Sequence, residues 1–186
     1  MNYQTPIDEK QLVKDLQTQE RAPQAFQTLM RAYGEPMYWQ IRKLVMSHDD
    51  ANDLLQNSFI KAWTNIGNFR GDAKLSTWLF KIAINESLNF LNRERKKANI
   101  TDGGEDSFLL DNLEADTYFD GNELQRELQK AIARLPEKQR IVFNMRYFDD
   151  MKYEEISDIL GTSVGALKAS YHHAVKKIEA AIGSLL

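Results

Sequence analysis

The sequence predicts an all-α protein of two helical domains joined by an acidic linker. Three observations carry this prediction. Glycine and proline are rare, at 9 and 4 of 186 residues. Apolar residues recur at helical spacing instead of alternating. Residues 98–121 hold seven acidic side chains and no lysine or arginine, a composition typical of an extended, self-repelling tether. We therefore divide the chain into a first domain (1–97), a flexible linker segment (98–121) and a second domain (122–186).

Apolar stripes and capping residues predict four helices in the first domain. Pro23 can start the first helix, and we expect Gly34 and Pro36 to interrupt it, with Pro36 at the first position of a second helix. A third helix is predicted by four apolar side chains: Leu55, Phe59, Trp63 and Ile66. Ser76 or Thr77 can cap the fourth, which ends in a basic run at 93–97.

The linker segment is too apolar for an inert spacer. Its large apolar or aromatic side chains include Phe108, Leu109, Leu110, Tyr118 and Phe119. We expect these side chains to dock locally, either on this chain or on a partner.

The second domain ends in a pair of helices with the form of a helix-turn-helix. The predicted helices run from Tyr153 to Leu160 and from Ser163 to about Ile182. Gly161 permits the positive φ that ends the first helix, and Ser163 can cap the second. In such a motif the second helix projects into the major groove of DNA. A helical hairpin with solvated lysines, which never touches DNA, fits the same pattern.

The first domain offers a different candidate surface, where aromatic, amide and basic side chains occur together. Such a mixture suits unstacked single-stranded bases. Asn85 could read a base edge, and Phe69 and Ile82 could line a pocket for an extruded base. The alternative is that Trp78, Ile82 and Phe90 belong to the core, and we favour that interpretation for Trp78.

Several classes of function are disfavoured by what the sequence lacks. It has no cysteine, which excludes disulfides and thiol chemistry, and no phosphate-binding glycine-rich loop. His172 and His173 are adjacent and point about 100° apart on a helix, which is poor geometry for a shared metal. We expect neither enzyme activity nor a cofactor or metal. The first ten residues have no signal-peptide core, and no apolar run exceeds three residues, so we expect a cytoplasmic protein without membrane insertion.

The net charge of −3 argues at first against a nucleic-acid binder. The linker segment alone contributes −7, however, and the first and second domains carry +3 and +1. Such weakly basic domains fit a protein that touches DNA only when a partner supplies much of the electrostatic attraction.

Taken in order, these features resemble one family, the extracytoplasmic-function (ECF) sigma factors of bacteria. The resemblance covers roughly residues 22–97 and 122–182. It implies a sigma region 2 domain, a sigma region 4 helix-turn-helix domain and an acidic linker without region 3. The implied function is to bind core RNA polymerase through its β′ and β subunits and to direct initiation at chosen promoters. Region 2 would read the −10 element as a melted strand, and region 4 would read the −35 element as duplex.

The resemblance also assigns three sets of residues. The −10 set is Phe69, Arg70, Lys74, Ile82, Asn85, Arg93, Arg95, Lys96 and Lys97. The −35 set is Ser163, Lys168, Ala169, His172, His173 and Lys176. The polymerase set is Asp50, Asp53, Leu54, Gln56 and Phe59.

An anti-sigma factor is a further partner that the resemblance implies. Two other interpretations stay open. One is a stand-alone helix-turn-helix regulator that binds a duplex operator without polymerase. The other is a helical interaction module in which the hairpin is structural and DNA is not bound.

Overall fold

The computed structural model describes residues 8–97, 105–118 and 121–183. Within these ranges every regular element is helical, as predicted. The helices are α1 (Glu9–Leu16), α2 (Ala22–Val45), α3 (His48–Asn65), α4 (Leu75–Lys97), α5 (Glu105–Ala115), α6 (Glu123–Ala133), α7 (Glu137–Tyr147), α8 (Tyr153–Leu160) and α9 (Val164–Gly183). A 3₁₀ turn at Ile66–Asn68 follows α3.

Helices α2, α3 and α4 pack against one another to form the centre of the first domain. Their shared core contains side chains with no exposed surface, among them Met37, Ile41 and Leu79. This packing buries one face of α4 and leaves its other face outward, and that outward face carries most of the −10 set.

Helix α1 was not predicted, yet it fixes the start of α4. The Glu9 carboxylate accepts hydrogen bonds from the Tyr33 hydroxyl at 2.8 Å and from the Leu75 amide at 3.3 Å. Glu9 thus joins α1 to α2 and to the first residue of α4. The prediction that Ser76 or Thr77 caps α4 was wrong, because both lie inside its first turn.

The predicted break at Gly34 and Pro36 was also wrong, since α2 runs through both. Proline inside a helix removes a backbone hydrogen bond and strains the preceding turn. Here Tyr33 and Met37, on either side of Pro36, are buried at 6% and 0% exposure. Packing of both halves of α2 into one core outweighs the local effect of the proline.

The linker segment contains α5, which packs against the rest of the chain. Leu109 and Leu113 are 0% and 2% exposed, and the Asn112 amide donates to the Val45 carbonyl at 2.9 Å. The expected docking of Leu109 is therefore on this chain itself. Phe119 lies outside the described residues. The segment is attached at its end as well, because Asp116 pairs with Arg42.

Helices α6 to α9 form the second domain, in which α9 packs against α6, α7 and α8. Asn122 and Gln125 form a capping box at the start of α6. Arg140 is fully buried and donates to the carbonyls of Ala133 and Leu135, at 3.4 and 3.2 Å. It thereby satisfies carbonyl groups where α6 ends and the turn to α7 begins.

The two domains touch each other along α2–α7 and α4–α8. Lys43 pairs with Asp149, and the Asn144 amide donates to the Lys43 carbonyl at 3.2 Å. The apolar core is continuous through both domains. The division at the predicted boundaries stays a prediction, and in this structure the domains lie side by side.

Candidate nucleic-acid interface

An open cavity of about 500 Å³ lies between the outward face of α4, Lys61 of α3 and Glu137 of α7. Ile82 and Asn85 both line it, so the structure brings these two members of the −10 set together. Asn89 and Asn92 line the same cavity and were not singled out from the sequence. The sequence could have indicated them, because they follow Asn85 by four and seven residues and such positions share one face of a helix.

Phe69 does not line this cavity. Its ring packs against Trp78 with the ring centroids 5.2 Å apart, and both side chains are half-buried against the core. The Gln17 amide donates to the carbonyls of Ile66 and Phe69 at 3.1 and 2.9 Å, which fixes the loop before α4. The structure thus separates Phe69 from the Ile82–Asn85 cavity.

The cations of the −10 set differ in how available they are. Arg70, Lys74, Arg93, Lys96 and Lys97 are exposed. Lys97 pairs with Glu94 at 2.7 Å within its own helix. Arg95 is half-buried and pairs with Glu137 of the second domain, also at 2.7 Å. The basic end of α4 is therefore an exposed cationic stripe with one member engaged across the domain boundary.

The helix-turn-helix has the local geometry that the sequence predicts. Gly161 has a positive φ of 64° at the end of α8, and the Ser163 hydroxyl accepts from the Ala166 amide at 3.4 Å. Leu167, Ala174 and Ile178 are buried on the inner face of α9.

The outer face of α9 is exposed, and it carries the rest of the −35 set: Lys168, Ala169, His172, His173 and Lys176. The Lys168 ammonium lies 5.7 Å from the ring centroid of Tyr153. The ring centroids of His172 and His173 are 6.0 Å apart. No cluster of three metal-ligating side chains occurs among the described residues.

The polymerase set divides into surface and core. Asp53 and Gln56 are exposed and Asp50 is half-buried, whereas Leu54 and Phe59 are 3% and 8% exposed. Leu54 and Phe59 therefore pack into the core in this arrangement, and the role of the set in binding polymerase stays a prediction.

Two large apolar side chains on α3 were not in the predicted polymerase set. Ile60 and Trp63 are 62% and 42% exposed. Trp63 packs edge-on against Phe26, with the ring centroids 4.9 Å apart. The exposed face of α3 is thus apolar towards its end and acidic towards its start.

Among the helices of the described ranges, none combines the length and apolar character needed to cross a membrane.

Comparison with known proteins assigns both halves of this architecture. Residues 29–97 match the family model described as sigma-70 region 2, and residues 125–178 match sigma-70, region 4. The RNA polymerase sigma-H factor of Pseudomonas aeruginosa is 30% identical over 98% of this chain and 97% of its own length. The ECF RNA polymerase sigma factor SigW of Bacillus subtilis is 30% identical, over 80% of this chain and 83% of its own.

Two solved structures share the fold at lower identity. CnrH, in complex with the cytosolic domain of CnrY, superposes with a TM-score of 0.69 at 21% identity, over 95% of this chain and 97% of its own. The sigma factor RpoE of Bartonella quintana, bound to the anti-sigma factor NepR, superposes with a TM-score of 0.66 at 20% identity. This match covers 85% of this chain and 96% of RpoE. The match of two family models in order, together with full-length relatives, establishes that the chain belongs to the ECF sigma factors of the sigma-70 family.

Proposed function

We propose that this sigma factor directs core RNA polymerase to a subset of promoters by reading two elements in two different states. Helix α4 would capture the −10 element as a melted strand, and α9 would read the −35 element as duplex. The observation that carries the proposal is the cavity on α4, where the apolar Ile82 and the amide of Asn85 face the same space.

The chemistry of the α4 cavity suits an extruded base. Unstacking a base costs a few kcal/mol, which contacts in the cavity have to offset. Ile82 and Leu88 offer apolar surface to the base, while Asn85 offers a donor and an acceptor to its edge. The cations at the end of α4 would hold the adjoining phosphates.

The proposed duplex contact uses the exposed row on α9. Lys168 and Lys176 can reach phosphates or guanine edges in the major groove. His172 and His173 lie on the same exposed side and are further candidate contacts. The row is only weakly basic, so we expect modest affinity for the −35 element in the absence of polymerase.

Core RNA polymerase is the proposed main partner. The exposed start of α3, with Asp53 and Gln56, would dock on the β′ subunit, and the second domain would contact the β subunit. An anti-sigma factor is a proposed inhibitor. This proposal is supported by the fold shared with RpoE, whose solved structure includes the anti-sigma factor NepR. The site of action would be the bacterial cytoplasm, where polymerase works.

The proposal is tested by transcription from genomic promoter fragments by core polymerase, with and without this chain. We expect new transcript starts that depend on the chain, and co-purification of the chain with core polymerase. Absence of both would overturn the proposal. A footprint on duplex DNA by the chain alone, unchanged when polymerase is added, would support a stand-alone regulator instead.

A further inference from the structure

Two carboxylates of the second domain lie on cations of the first domain. Glu137, in the first turn of α7, pairs with Arg95 at 2.7 Å. Glu155, in the first turn of α8, lies 3.6 Å from the Lys74 ammonium. Both cations belong to the set through which α4 and its preceding loop would hold DNA phosphates.

Glu137 also lines the cavity that contains Ile82 and Asn85. One side chain of the second domain therefore reaches both the proposed base pocket and the basic end of α4. A carboxylate presents two oxygens to a guanidinium in the way that a phosphate does. The two glutamates thus contact cations that, in the proposed function, would hold the phosphates of a bound strand.

Closure of the domains affects the two reading surfaces unequally. The second domain is held against α2 by the Lys43–Asp149 pair and by the hydrogen bond from Asn144. In this arrangement α8 packs beside α4, and the start of α7 reaches the basic end of α4 through Glu137. The residues of the −35 set on α9 stay exposed in the same arrangement. Among the residues that the structure describes, the second domain contacts cations of the −10 set and leaves the −35 set uncovered.

We infer that the free chain inhibits its own −10 surface, with Glu137 and Glu155 serving as internal substitutes for the DNA phosphates. Separation of the domains on polymerase would release Arg95 and Lys74 for the promoter. This inference rests on the proposed role of α4 and adds to it a contact that regulates the same site.

The expected strength of the block is modest. Arg95 and Glu137 are 24% and 28% exposed, and Lys74 and Glu155 are 69% and 44% exposed. Pairs this accessible to solvent contribute little each. Removing both carboxylates should therefore raise the affinity for a single strand by about fivefold.

The first experiment measures binding of the full-length chain, without polymerase, to a fluorescein-labelled single-stranded oligonucleotide pool of random sequence at low salt. The double variant Glu137→Gln/Glu155→Gln is compared with Glu154→Gln/Glu179→Gln, which removes the same charge from two exposed glutamates. Glutamine at 155 can still accept from the Lys152 amide, as Glu155 does at 3.1 Å. We expect about fivefold tighter binding for the first variant and less than twofold for the control.

An equal gain in both variants would show a general charge effect and would overturn the inference. No gain in either variant would overturn it as well. Neither result would affect the proposed function, which is tested by transcription with polymerase present.

The second experiment measures closure directly. Because the chain has no native cysteine, Asn57→Cys on α3 and Ala180→Cys on α9 give two unique sites for spin labels, and both positions are exposed. We expect one narrow distance in the free chain and a longer one after core polymerase is added. A broad distribution in the free chain, or the same distance in both states, would contradict the inference.

Discussion

Lys43 and Asp149 lie 106 residues apart in the chain and form an ion pair across the domain boundary. Their side chains are 14% and 8% exposed. Burial raises the pKa of Asp149, and the attraction of Lys43, which acts in the opposite direction, offsets this only in part. The contact therefore fixes how the domains meet, but the charge of Asp149 opposes its own burial there.

This imbalance predicts how stability depends on pH. A carboxyl group whose pKa is raised by folding contributes stability below its ordinary value, here 3.8, and loses that contribution as the pH rises through the raised pKa. Asp149→Asn removes the titration. We expect the stability of this variant relative to wild type to be greatest at neutral pH and to decline towards acid. Urea unfolding of both proteins across that range measures the difference, and a difference independent of pH would contradict the assignment.

The α4 cavity predicts an effect of Asn85→Ala on promoter opening. Loss of a hydrogen bond to a captured base should reduce open-complex formation by up to about tenfold, with a smaller effect on closed duplex binding. Permanganate reactivity of melted thymines and gel shifts with polymerase measure the two steps. Asn57→Ala, an exposed asparagine on α3, is the matched control. Equal losses in both steps would refute the assigned role.

The exposed face of α9 predicts an effect of Lys168→Ala on the −35 element. Removing one phosphate contact should weaken promoter binding by the holoenzyme. It should also reduce the slope of log K against log salt concentration by about one. Binding to core polymerase should be unchanged. Lys177→Ala is the control, because Lys177 is also exposed but lies about 180° around the helix from Lys168. A defect in core binding would show that the domain assignment is wrong.

The buried guanidinium of Arg140 predicts a large effect on stability. Arg140→Ala leaves a cavity and removes the donors for the carbonyls of Ala133 and Leu135. We expect a loss of about 3 kcal/mol in the free energy of unfolding. Arg134→Ala, at the exposed C-terminal cap of α6, should change stability by less than about 0.5 kcal/mol. Chemical denaturation of the two variants compares them, and similar values would be inconsistent with this account.

Two glycines of the helix-turn-helix should respond to alanine with opposite sign. Gly161 has a φ of +64°, and a Cβ there would meet nothing within 4 Å, so the effect of alanine is backbone strain of about 1 kcal/mol. Gly165 lies in α9 with equally open space, and alanine there should stabilise by about 0.5 kcal/mol. Thermal unfolding of both variants tests the pair, and a shift in the same direction for both would contradict it.

Local signals predicted the helix-turn-helix well, because a positive φ at Gly161 and a cap at Ser163 depend on neighbouring residues. The continuous α2 was missed because the burial of Tyr33 and Met37 in one core overrides the preference of Pro36. The ion pair between Arg95 and Glu137 was not predicted, because the two residues belong to different domains. In the sequence, each side chain by itself is typical of an exposed helix face. Ile82 and Asn85 line one cavity, whereas Phe69, which was expected to wall a pocket with Ile82, lies apart because its ring packs on Trp78.

The last turn of α2 connects three parts of the chain at almost consecutive positions. Arg42 pairs with Asp116, Lys43 pairs with Asp149, and the Val45 carbonyl accepts from Asn112. The contacts between α4 and α8 lie elsewhere, so this turn carries one of the two domain contacts together with the attachment of the linker segment. A displacement of this turn would loosen the linker segment and the α2–α7 contact at the same time.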